Sequence, residues 1–224
     1  MRDIKDYLDK ELNKFVLANI IVVLLLSGQL DVLTDAKTIS AFGISLANIS
    51  IIASPMYIYV YVVKYMYTSE AKDRIVFLWK TQPGCTVFSR IKKGKIDDSR
   101  FTKEDVVKQY SEIYQAIDNC DGDKGKLRSV ENSSWYKKYR IHKDEGAVKD
   151  ALRGQLLCRD ICVISFNMFI LLILLYIIGY GYLFNGLCFL FLLFVYIASN
   201  AAARYRAERL VLNVIAIDVN SEKK

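Results

Sequence analysis

From Ile161 to Ala203 the chain runs 43 residues without a charge, and from Thr38 to Val63 another 26. A helix crosses the ~30 Å hydrocarbon layer of a bilayer with about 20 apolar residues. The shorter run therefore holds one span, and the longer holds two if it turns near its middle. Gly179, Tyr180 and Gly181, followed by Asn185 and Gly186, supply such a turn. A fourth candidate starts at Phe15 with FVLANIIVVLLL and continues to about Leu33, past Ser27, Gly28, Gln29 and Asp31. Residues 1–14 carry four basic and four acidic side chains, and no A-x-A-like cleavage site follows the apolar run. Both features favour a retained helix over a removable signal peptide.

Charge sets the expected orientation. The chain is 53% hydrophobic, yet 25% of it is charged, with a net charge of +7. Twenty Lys and Arg fall within 65–160, five within 204–224 and four within 1–14, whereas 27–37 has only Lys37 and the turn near Gly181 has none. Basic segments stay on the cytoplasmic side. The expected fold is an all-α membrane protein with four transmembrane helices, paired 2+2, and a mainly helical cytoplasmic insert. The expected segments are a cytoplasmic start (1–14), a first hairpin (15–66), the insert (67–159), a second hairpin (160–203) and a cytoplasmic helix (204–224). That last helix should continue the fourth span, with Leu210, Val211, Val214 and Ile215 as its apolar stripe. A helix from about Ala147 should likewise run through Arg159 into the third span, so that two membrane helices project into the insert.

Within the insert, RIVFLW (74–79) reads as a strand or a helix, and Gln82-Pro83-Gly84 as a turn. Phe101, Val106, Val107, Tyr110, Ile113, Tyr114 and Ile117 recur at helical spacing and predict one helix, opened by Thr102 and Asp105. DNCDGDKGK (118–126) reads as a solvated loop. Its acidic spacing does not fit a calcium loop, because Ser129 stands where the closing Glu would be. Five cysteines and one histidine show no zinc-ligand spacing, so no metal site is expected.

The stretch NSSWYKKYRIHKD (132–144) mixes aromatics with cations. On a helix Trp135, Tyr139 and His142 share one face, and Tyr136, Arg140 and Lys143 the next. Three interpretations stay open. The stretch is a membrane-interface or core helix, a nucleotide or oligonucleotide surface where bases stack on aromatics and cations hold phosphates, or a protein-docking site. The candidate ligand set is Trp135, Lys137, Lys138, Tyr139, Arg140, His142 and Lys143, joined by the second basic cluster of Arg90, Lys92 and Lys93. Neutral polar groups within the spans, Asn19, Ser45, Asn48 and Asn167 among them, either bond between helices or line a pore. No Walker A, G-x-G-x-x-G, G-x-S-x-G or H-E-x-x-H motif occurs, and no set of Asp, Glu, His and Ser converges in the sequence. A non-enzymatic protein without a cofactor is expected.

The order Trp135-Tyr136-x-x-Tyr139-Arg140-x-His142-x-Asp144, then Val148, then Leu156-Leu157-x-Arg159-Asp160 opening a membrane helix, resembles small bacterial membrane proteins of anti-phage defence loci. It is similar to the HalB-like transmembrane effectors of the Hailong system. LWKTQPGCTVFSRIKKGKID (78–97) is similar to a Trp-x-x-x-Pro-Thr-Thr pattern in related proteins, with Gly84 and Cys85 in place of the threonines. The resemblance implies a tetrameric channel in the bacterial inner membrane. It implies a partner nucleotidyltransferase that makes a short single-stranded DNA oligomer, which holds the channel closed. Loss of the ligand would then open the channel and depolarise the membrane. The rival expectation is a non-conducting membrane sensor or scaffold that recruits a cytosolic defence effector.

Overall fold

A computed structural model describes residues 2–29 and 39–221. These residues are mainly helical, with no strand among them. The helices are α1 (Arg2–Leu26), α2 (Ile39–Met66), α3 (Ser69–Phe77), α4 (Val87–Lys92), α5 (Lys103–Gln109), α6 (Ser111–Asp118), α7 (Lys124–His142), α8 (Gly146–Leu175) and α9 (Gly186–Ser221). Contacts divide the chain into a first unit, 1–78 with 156–203, and a second, 79–155 with 204–224.

The first unit is the membrane unit. Among the described residues three helices are long and apolar enough to cross a bilayer, through Phe42–Met66, Gly146–Tyr180 and Gly186–Ser221. The apolar part of α1 that is described, Phe15–Leu26, rises only about 18 Å. The outer connection expected at 27–37 and the end of the first candidate span fall largely at 30–38, outside the described residues. Even so, α1 shares the core of this unit. Its Leu12, Val16, Ile20 and Val23 are buried with Met56 and Val60 of α2 and with Met168, Leu172 and Leu192 of α8 and α9. Lys64 of α2 pairs with Asp9 of α1 at 2.6 Å. The turn between α8 and α9 sits where the glycines predict it. Gly179 has φ +103°, a conformation open to glycine at no steric cost.

The second unit, the head, holds a compact aromatic core. Phe88 is fully buried, with Tyr110 and Tyr114 edge-on to it at 5.4 and 6.2 Å between ring centres. Val211, Leu212, Ile215 and Val219 of α9 close this core, and Leu210 and Val214 pack on Val148 beside it. The expected stripe on the C-terminal helix is thus a core face. Pro83–Cys85 forms a 3-10 turn here, whereas residues 74–77 of RIVFLW end α3 in the first unit.

One helix expected across 101–117 is two. The capping box forms as the sequence suggests, with Thr102 Oγ1 accepting from the Asp105 amide at 3.2 Å. The helix then breaks at Tyr110, with φ −104° and ψ 33°. The Tyr110 hydroxyl donates to Asp218 at 2.6 Å while its ring meets Phe88. The helical bonds on either side persist, from the Tyr110 amide to the Val106 carbonyl and from the Tyr114 amide to the Tyr110 carbonyl, both at 3.0 Å. In the loop that follows, Asp123 caps α7, accepting from the amides of Gly125 and Lys126.

Candidate functional site

Helix α7 carries the basic-aromatic stretch, and its 3.6-residue period sorts the side chains onto two faces. Trp135, Tyr139 and His142 turn inward. Trp135 stacks on Tyr139 at 5.5 Å and lies so close to Gly84 that a Cβ there would stand 3.1 Å from the indole. Tyr139 packs beside Val148, Leu210 and Val214. His142 is buried, with Nδ1 on Glu145 and Nε2 on Asp218 at 2.8 Å.

Asp218 is the hub of this face. It accepts from the Tyr110 hydroxyl and from His142, and pairs with Lys138 Nζ at 3.0 Å. Burial alone would raise its pKa, but the hydrogen bonds from Tyr110, His142 and Lys138 outweigh burial and hold it below the usual carboxylate value. His142 is the mirror case. Burial pulls it down, while the hydrogen bonds and charges of Glu145 and Asp218 lift it above its ordinary 6.5. Glu131, one helical turn before Trp135, is also buried, and burial raises its pKa even though the Ser89 amide and hydroxyl donate to it.

The outward face keeps Lys137, Arg140 and Lys143, all exposed and without an ion-pair partner among the described residues. Tyr136 stands with them, 52% exposed. Arg90 and Lys92 are engaged in their own pairs, with Glu208 and Asp118, both at 2.7 Å. Lys93 is exposed. Of the ten expected ligand residues, Lys137, Arg140 and Lys143 form one open cationic face on α7. Trp135, Lys138, Tyr139 and His142 are built into the fold. Neither Asp218 nor Tyr136 was among the expected site residues. An isolated acid in the apolar run VLNVIAIDV was the available sign that a cation waits opposite Asp218.

In the membrane unit the polar candidates also divide. Asn19, Ser45 and Asn167 are buried. Asn19 donates to the Phe15 carbonyl within its own helix at 2.7 Å, and Asn167 accepts from the Tyr67 hydroxyl at 3.1 Å. Asn48 is exposed on α2 and has no hydrogen-bond partner among the described residues. Asn48, Ile51 and Pro55 share one helix face by spacing. Ile51 and Pro55 line an apolar groove of about 330 Å³. Only 11% of the apolar window of α2 is buried, against 39% for α8.

Comparison with protein-family models, with curated proteins and with solved structures finds no match to this chain.

Proposed function

We propose that this chain is the subunit of an oligomeric membrane channel gated by an anionic ligand on its cytoplasmic head. The observation that carries the proposal is Asn48. An unpartnered amide in hydrocarbon costs several kcal/mol. In a lone subunit it faces lipid. In a homo-oligomer it meets a neighbouring α2 or a water-filled pore, and either satisfies it. Ala198 and Ala202, exposed on α9, are small residues of the kind that let another helix approach closely. Under this proposal α1 is the fourth span, both termini lie in the cytoplasm and the membrane is the bacterial inner membrane.

The ligand is a nucleotide or a short single-stranded DNA oligomer. Lys137, Arg140 and Lys143 would hold its phosphates, and Tyr136 would offer a ring for stacking. The resemblance to HalB-like effectors adds three further points: a tetramer, a partner nucleotidyltransferase as ligand source, and depolarisation as output in anti-phage defence. The rival scaffold shares the head and the spans but conducts nothing. Purified protein in liposomes discriminates the two. A channel gives ion flux that responds to added oligonucleotide. A scaffold gives none under any ligand, and that result would retire the channel.

A further inference from the structure

Trp79 is the most exposed large apolar side chain described in the molecule, at 84%, and Leu78 beside it is 46% exposed. An exposed indole next to an exposed leucine offers apolar surface, with a polar N–H at its edge, that a membrane interface can cover. Their depth is set by α3. Asn200 of α9 donates to the Val76 carbonyl at 2.9 Å, and Lys72 pairs with Asp160 of α8 at 3.0 Å. Asp160 immediately precedes the long uncharged run, and Asn200 lies four residues before Arg204, the first charge after it. Four helical residues rise about 6 Å. Helix α3 is therefore held where both long helices leave the hydrocarbon. Trp79 is three residues beyond Val76, a reach of at most about 11 Å.

The backbone turns the pair outward at this level. Val76 and Phe77 are buried, and then Leu78 takes φ +50° while its amide closes on the Arg74 carbonyl at 2.7 Å. A positive φ is rare for a bulky residue, and the surrounding contacts must sustain it. Exposed Arg74 and Lys80 flank the pair. An indole carried by apolar neighbours and cations suits the headgroup layer, where Trp is enriched and cations meet anionic lipid.

We propose that Leu78 and Trp79 form a lipid-headgroup anchor that docks the end of α3 on the cytoplasmic leaflet. The anchor takes its depth from the spans and its leaflet from the proposed orientation, and it stands whether or not the protein conducts.

The chain has two tryptophans, so W135F leaves Trp79 as the sole indole. Full-length W135F protein is placed in nanodiscs of mixed zwitterionic and anionic lipid. Trp79 emission should be blue-shifted and insensitive to iodide. It should lose more than half its intensity when the lipids are brominated near the headgroup, and less when they are brominated near the chain ends. Red-shifted emission quenched by iodide but not by brominated lipid would leave Trp79 in water and overturn the proposal. Protection from both quenchers would overturn it in favour of a protein cover, such as a second copy. If W135F does not fold, subtracting the spectrum of W79F protein from that of the unaltered chain isolates the same emission.

Discussion

His142 and Asp218 carry opposite perturbations, and each makes a prediction about pH. A histidine whose folded pKa is raised adds stability that is complete below its ordinary 6.5 and fades as pH rises through the folded value. An aspartate whose folded pKa is lowered adds stability that is complete above its ordinary 3.8 and is lost as pH falls through the folded value. The head should therefore be most stable in weakly acidic solution. It should loosen as pH climbs above 6.5. Hydrogen exchange of the peptide spanning 138–145, measured on the full-length protein in detergent, reads this directly. Glu131, raised by burial, also weakens the head as pH rises through its folded value above the ordinary 4.5. H142Q should remove the slope above 6.5 and leave the acidic limb. An unchanged slope in H142Q would place the titration elsewhere. D218N tests the hub itself. It strips the partner from Lys138 and His142 in a buried setting, and should cost about 3 kcal/mol of head stability. Chemical denaturation followed by Trp135 emission would show this loss.

At the scale of the helix, α7 separates two kinds of cation that look alike in sequence. Lys138 is half-buried and bonded to Asp218, whereas Lys137, Arg140 and Lys143 are exposed. K138E should therefore damage the head before it damages binding. The triple variant K137E/R140E/K143E should keep the fold and lose oligonucleotide binding. In salt titrations of single-strand binding, three lost phosphate contacts at about 0.7 each should lower the slope of log affinity against log salt by about 2. Binding that survives the triple variant with its slope intact would remove this face from the ligand site. The same helix shows what the sequence could convey. That Trp135, Tyr139 and His142 share a face follows from 3.6-residue spacing. Which way the face points depends on Val148 at the start of the next helix and on Leu210 and Asp218, which arrive from far along the chain. The break at Tyr110 was hidden for a similar reason. Its helical spacing continues unbroken to Ile117, while the contacts Tyr110 makes at the break, with Phe88 and Asp218, come from other parts of the chain. The three long apolar helices and the Gly179 turn, by contrast, depend on local composition and were legible at once.

At the scale of the whole molecule, the membrane unit has its own core but leaves α2 thinly covered. Lipid can cover Ile44, Ile51 and Ile58, which are exposed on that helix. It cannot satisfy the amide of Asn48. Two remedies exist, and they differ in outcome. If Asn48 bonds across to a neighbouring α2, then N48L removes the interhelical bond and weakens assembly by about 1–2 kcal/mol per contact. Crosslinking in detergent would then shift toward monomer. If Asn48 lines a wetted pore, N48L should leave assembly intact and sharply reduce ion flux, because a ring of leucines dewets a constriction. A conservative N48S should restore flux in the second case more fully than it restores assembly in the first. Assembly and flux both unchanged in N48L would mean that the amide finds neither partner nor pore. The case for an oligomeric channel would then lose the observation on which it stands.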